Sequence, residues 1–306
     1  MKYNYPPPLK IFTKPGFSTF ILTAALFLTS CRNMLYDLEN AIGTKTETVD
    51  SLKMTCVLEE EITFPTDCNI ETRDYDNPST SNLKGTPLVP YRINYIETTY
   101  ALWYEVYKWA LDRGYSFENP GREGSNKTGA PTAGKYKPVT SITHADCIVW
   151  CNAFSRIKGL RPVYYSNNAL ETEIKSLSES DELSGIYVDK NADGYRLPTA
   201  AEWEYAAYGA YKDKNQYNRS FKYSGSDTLE EVGVVGNAPE VCASKKANGL
   251  GLYDMTGNVS EICFSKNALG GHYANNDDNL KLPSNNLYSI CRLYPTMFGF
   301  RIAQNR

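Results

Sequence analysis

The sequence predicts an irregular, loop-rich α+β domain, on three observations. Helix starts are few and far apart. Strand-like runs are short and separated by long stretches rich in Gly, Pro and Asn. There is no βαβ alternation, repeat or heptad. At 306 residues the chain has room for one large domain or two small ones.

The first segment reads as an address. Lys2, Lys10 and Lys14 precede the apolar run Phe17–Leu28, which is short for a membrane span and fits a signal-peptide core. It runs into Leu28-Thr29-Ser30-Cys31, where small residues before a cysteine resemble a bacterial lipobox. The expectation is a signal peptide over 1–30, acylation of Cys31, and a lipid-anchored protein of the bacterial envelope at the outer membrane or cell surface. The alternative is a plain signal peptide or a membrane anchor. Loss of residues 1–30 removes three lysines and no acids, so the formal charge moves from −3 to −6.

Residues 31–86 read as a polar, turn-rich extension carrying Glu59-Glu60-Glu61. Export permits disulfides, and Cys56 and Cys68 are expected to pair there as a local staple. Seven cysteines follow Cys31, an odd number, so at least one thiol stays free within a single chain.

From residue 87 to 306 the pattern tightens into a domain. Ile93 to Glu97 looks like a short strand. Thr99 opens a helix with Leu102, Trp103, Val106, Tyr107 and Ala110 on one stripe, stopped by Gly114. A loop over 115–138 follows. Thr143 opens a second helix with Asp146 in capping-box position, ended by Gly159. Cys147 and Cys151 lie one turn apart on it and are expected to be buried free thiols, since two sulfurs alone do not complete a metal site. Thr199 and Glu202 form a second capping box ahead of Trp203, Tyr205, Ala206 and Ala207.

Composition narrows the chemistry. A formal charge of −3 and a balanced surface argue against nucleic acid as a partner. Two histidines, His144 and His272, cannot make a three-His metal centre. No Gly-x-Ser-x-Gly elbow and no Gly-rich phosphate loop is present. Any catalysis would run through cysteine or carboxylates. The 24 tyrosines fit either ligand-facing surfaces or a loop-rich fold with half-exposed rings.

Five ordered motifs carry a resemblance: Tyr95-Ile-Glu-Thr-Thr99; Pro138-Val139 with the Trp150-Cys-Asn152 triplet; Tyr195-Arg-Leu-Pro-Thr-Ala-Ala-Glu-Trp-Glu-Tyr-Ala-Ala207; Asn248 to Glu261; and Gly270-Gly271 with Gly299-Phe300-Arg301. Together they resemble the formylglycine-generating, sulfatase-modifying enzyme family. That resemblance implies an irregular α+β fold of the C-type-lectin-like kind. It also implies calcium held by Asp254, Gly257, Val259 and Glu261, a set of hard oxygens that suits the ion. The alternative for Asp254 and Glu261 is capping of the turn through backbone N–H groups. The fold would bring Cys263 and Cys291 together as a disulfide.

The enzymes of that family use two cysteines five apart, shortly after the Gly-Gly pair, with copper. Residues 264–290 contain no cysteine, and Asn275, Asn279 and Leu280 occupy that stretch. The expectation is a member without catalytic residues and without copper or iron.

Residues 272–296 are unusual in another way. Every residue but Lys281 is encodable by changing the adenines of an Asn codon, and the stretch ends at the Gly-Phe-Arg motif. It resembles the variable region of diversity-generating retroelement proteins of the Treponema type, which use the same lectin-like fold; the alternative is an ordinary Asn-rich loop. The expected function is display of a binding face for a protein or glycan ligand at the cell surface. Its contacts would be Tyr273, Asn275, Asn276, Asp277, Asn279, Asn285, Asn286, Tyr288 and Tyr294. The other readings are a sulfatase-modifying or related oxidase, and a structural envelope lipoprotein.

Overall fold

Three helices carry most of the packing, and each begins where its capping residue dictates. In α1 (Tyr100–Leu111) the Thr99 side chain accepts from the Leu102 N–H, which satisfies one of the orphan donors of the first turn. In α2 (His144–Ile157) Thr143 and Asp146 cap each other reciprocally, and α3 (Ala200–Ala207) repeats this with Thr199 and Glu202. Gly114 and Gly159 sit beyond the first two helices at φ +78° and +71°, backbone that stops a helix at little cost only for glycine. This computed structural model describes residues 50–58, 62–63, 87–126, 128–181, 183–209, 221–282, 288–289 and 295–306. They belong to a unit spanning Val49–Arg306.

Two four-stranded sheets organise the rest. The first is antiparallel and runs in the order Met54–Leu58, Tyr91–Asn94, Ala303–Asn305, Tyr195–Arg196. The second runs Tyr288–Ser289, Asn267–Leu269, Ser260–Ile262, Phe298–Gly299, its last pair parallel. Other ladders are two residues long, such as Arg122–Glu123 against Val139–Thr140. The mixture of short sheets and few helices among the described residues is the α+β, loop-rich architecture expected.

The expected start of the domain at residue 87 moves earlier. Met54–Leu58 pairs along Tyr91–Asn94, so part of the polar extension is an edge of the first sheet. Hydrogen bonding explains this: without it the outer side of Tyr91–Asn94 would lack a partner strand. Cys68 and Cys291 lie outside the described residues, as does Cys31, so neither expected disulfide nor the acylation site is described. Cys147 and Cys151 are buried and free, as expected.

The core centres on α1 and α2. Trp103 and Trp150 stack at 5.9 Å with their planes 2° apart, and Phe300 meets both rings edge-on. Asn152, third of the Trp-Cys-Asn triplet, takes four backbone groups: it donates to Tyr164 and Ile174 oxygens and accepts from Val163 and Tyr164 N–H. The strand Tyr164–Tyr165 has the two-residue strand Tyr187–Val188 as its ladder partner, and Asn152 satisfies backbone groups which that short ladder leaves over. Glu202 of α3 holds Arg196 bidentately at 2.7 Å on both arms, while Tyr91 donates to the Glu202 carbonyl oxygen. These contacts lock α3 onto the first sheet. Among the described residues no helix is long and apolar enough to cross a membrane.

Candidate functional site

The Asn/Gly block, 248–261, gathers a cluster of buried charge. Glu261 lies in the second sheet. Its Oε2 accepts from Trp203 Nε1 at 2.7 Å and from Arg301 Nε at 2.5 Å, and its Oε1 accepts from a second Arg301 nitrogen at 2.5 Å. Arg301 also donates to the Asn94 and Tyr253 oxygens. Both partners are almost wholly buried, at 0% and 1% exposure. Three of the five sequence motifs thus meet in one ion pair, between the block, α3 and the closing Gly-Phe-Arg.

Beside it stands a second acidic group. Glu97 Oε2 accepts from Asn258 Nδ2 at 2.6 Å and from the Cys242 thiol at 3.5 Å, and Oε1 accepts from the Val259 N–H. Asp254 Oδ2 accepts from the Ala243 N–H at 2.6 Å, while its buried Oδ1 has no hydrogen-bond partner. Burial, reinforced by Asp254 and Glu261, pushes Glu97 well above the usual carboxylate range, and burial lifts Asp254 to about 6. The Cys242 thiol is pushed up by burial and then by Glu97. The turn that brings these groups together depends on Gly257. It has φ +78°, and a Cβ there would lie 2.3 Å from the Val234 oxygen.

Of the calcium set expected from the resemblance, Glu261 has both oxygens in hydrogen bonds to Trp203 and Arg301. The capping alternative holds in part: Asp254 takes a backbone N–H, that of Ala243, but Glu261 takes side chains. The structure brings Asp254 instead to Glu97 and Cys242. In the sequence Glu97 closes an expected strand within the Tyr95–Thr99 motif, and Cys242 is one of seven cysteines after Cys31. Nothing in their spacing, 145 positions apart, signals that they touch.

The second feature is the surface turn over 272–282. Its start is tied to the buried block and to a neighbouring loop: Tyr273 N–H donates to the Asn258 oxygen, and the Tyr273 carbonyl accepts from Gly236. Its end is tied through Leu282 N–H to the Lys222 oxygen. Asn275 Oδ1 closes the turn on the His272 N–H at 2.7 Å, and Asn276 caps the 3-10 turn Asp277–Leu280. Leu280 is buried against Tyr223 and Val232. Lys281 bridges Asp277 and Asp278 at 3.2 and 2.7 Å, and Tyr223 donates to Asp277. What faces solvent is Ala274, Asn276, Asp277 and Asp278.

Of the expected ligand contacts, Asn276 and Asp277 are exposed and Asn275 and Asn279 are half-buried. Tyr273 is a correction. It is 6% exposed, because both its backbone groups are pinned and the ring turns inward beside His272. Tyr288 lies in the outer strand of the second sheet, opposite Ala268. Asn285, Asn286 and Tyr294 lie outside the described residues.

The sequence profile of the Sulfatase-modifying factor enzyme 1-like domain matches residues 65–306. The chain belongs to this sulfatase-modifying factor family. Chaperone protein LppX of Paenibacillus barcinonensis is 35% identical over 155 residues, 44% of this chain and 52% of that protein. The chain thus spans about half the length of this curated relative. Among solved structures, CarF is similar at 26% identity and a TM-score of 0.63, over 83% of this chain and 98% of its own. Treponema denticola variable protein 1 is similar at 23% identity and a TM-score of 0.57, over 86% and 99%. The family fold therefore accommodates both the buried block and a turn over 272–282 that carries no cysteine.

Proposed function

We propose that this member of the sulfatase-modifying factor family is a surface-displayed lipoprotein that binds a protein or glycan through residues 272–296 and performs no thiol oxidation. One observation carries the reading. Where the oxidase cysteine pair would stand, this chain has Asn275, Asn279 and Leu280, and the turn around them offers Asn276, Asp277 and Asp278 to solvent. A thiolate pair is the chemistry that copper-dependent oxidation needs, and no carboxylate or amide replaces it. Small polar side chains on a turn braced from beneath are adaptable hydrogen-bonding groups on a rigid support. The lipobox at Cys31 supplies the anchor and the lectin-like scaffold the rigid frame.

The test has two arms. Full-length protein on glycan and extracellular-protein arrays is expected to give hits that the Asn276→Ala/Asp277→Ala/Asp278→Ala variant loses while it stays folded. Equal binding by the variant moves the site elsewhere, and turnover of a sulfatase cysteine peptide by the wild type overturns the reading. Cys31→Ser is expected to shift the protein from the membrane to the soluble fraction.

A second reading draws on the chaperone relative, whose 35% identity covers half of its length. In it, the ligand is an exported protein that needs help to fold. Raised refolding yield of a co-exported enzyme, with no array hits, would favour it.

A further inference from the structure

We propose that Glu97, Cys242 and Asp254 form a buried metal site that takes a thiolate-binding divalent cation of the zinc class rather than calcium. One ligand atom from each residue lies within 4.8 Å of the other two, and all three residues are buried. A second observation points the same way. Asp254 Oδ1 is buried without a hydrogen-bond partner, in a residue only 2% exposed. An uncompensated carboxylate oxygen in a dry interior is costly, and a cation would satisfy it.

The donor set selects the ion. Calcium and magnesium take oxygen only, whereas one sulfur with two carboxylates suits zinc. Spacing agrees. Zn–S and Zn–O bonds of about 2.3 and 2.0 Å at a tetrahedral angle put sulfur and oxygen about 3.5 Å apart. Cys242 Sγ lies 3.5 Å from Glu97 Oε2. The carboxylates are already oriented by Asn258, Val259 and Ala243, an outer layer of donors of the kind that fixes metal ligands. Arg301 is committed to Glu261, so its charge is neutralised next door. On binding, the Cys242 S–H bond gives way to a metal–sulfur bond, and its proton and any carried by Glu97 or Asp254 leave to solvent.

The experiment uses the full chain in detergent, unfolded in chelator, refolded, and offered zinc, cobalt or calcium alone. Wild type is expected to retain one zinc per chain, to melt at a higher temperature with zinc, and to show a thiolate-to-cobalt charge-transfer band. Cys147→Ser should leave that band unchanged, and Cys242→Ser should abolish it. Asp254→Asn keeps the volume and should weaken zinc by more than the roughly 10–100-fold that loss of an outer-layer partner costs. Retention of no zinc by folded wild type overturns the proposal. So does a cobalt adduct without the sulfur band, or stabilisation by calcium and not by zinc. These readouts on wild type decide the matter even if the variants do not fold.

Discussion

The buried block around Glu261 and the surface turn over 272–282 are only a few residues apart in sequence, yet they are held in opposite ways. In the block, charge is fixed by convergence: Trp203, Arg301 and Asn94 come from distant parts of the chain to meet Glu261 or its partner. In the turn, most polar groups satisfy near neighbours, as Asn275 does His272 and Lys281 does Asp277 and Asp278, with Tyr223 reaching Asp277 from further off. A group fixed by distant partners cannot change without unfolding something. A group fixed locally can change while its support stays. The difference separates what the scaffold requires from what it can vary.

The largest test strikes the block. Arg301→Met leaves Glu261 buried without its counter-charge, and breaking such a pair costs about 3–5 kcal/mol. Urea denaturation is expected to show that loss, with part regained when Glu261→Gln is added. A loss no larger than that of a surface substitution would erase the distinction drawn above.

A medium-sized test uses His144, also held from afar, through its ring nitrogen and the Phe264 oxygen at 2.8 Å. Burial pulls its imidazole from 6.5 down to about 4. The folded protein therefore keeps His144 neutral while the unfolded chain takes up a proton. Its contribution is complete above about pH 6.5 and is lost as pH falls towards 4, up to about 3 kcal/mol. Comparison of wild type with His144→Gln in urea at several pH values should show a steeper acid decline in wild type. Parallel declines would contradict it.

The smallest effect belongs to the turn. Asp278→Ala removes only an exposed, screened pair with Lys281, and the melting curve is expected to be unchanged. A clear drop would place the turn with the block, as part of the scaffold.

Much of this was readable from local chemistry. Thr99, Thr143 and Thr199 announce their helices because a cap acts within three residues. The five ordered motifs placed the family and fold. Contacts over distance were not readable. Glu261 is an acid on a Gly-Asn turn in the sequence, and only the fold reveals that Arg301 and Trp203 claim it. Tyr273 looks like an exposed ring in a polar run, and the pinned backbone turns it inward. The strand Met54–Leu58 was hidden for the same reason, since its partner lies nearly forty positions on.

The strand Ala303–Asn305 sits inside the first sheet, between Tyr91–Asn94 and Tyr195–Arg196. Ile93 meets Ala303 across about 210 positions of chain. Tyr91–Asn94 therefore has no partner on this side until about 210 further positions of chain have been made. Pairing over such separations makes folding slow. The turn over 272–282 lies just ahead of that strand in the chain, so a change in its length or stiffness is expected to act on the rate at which the sheet closes.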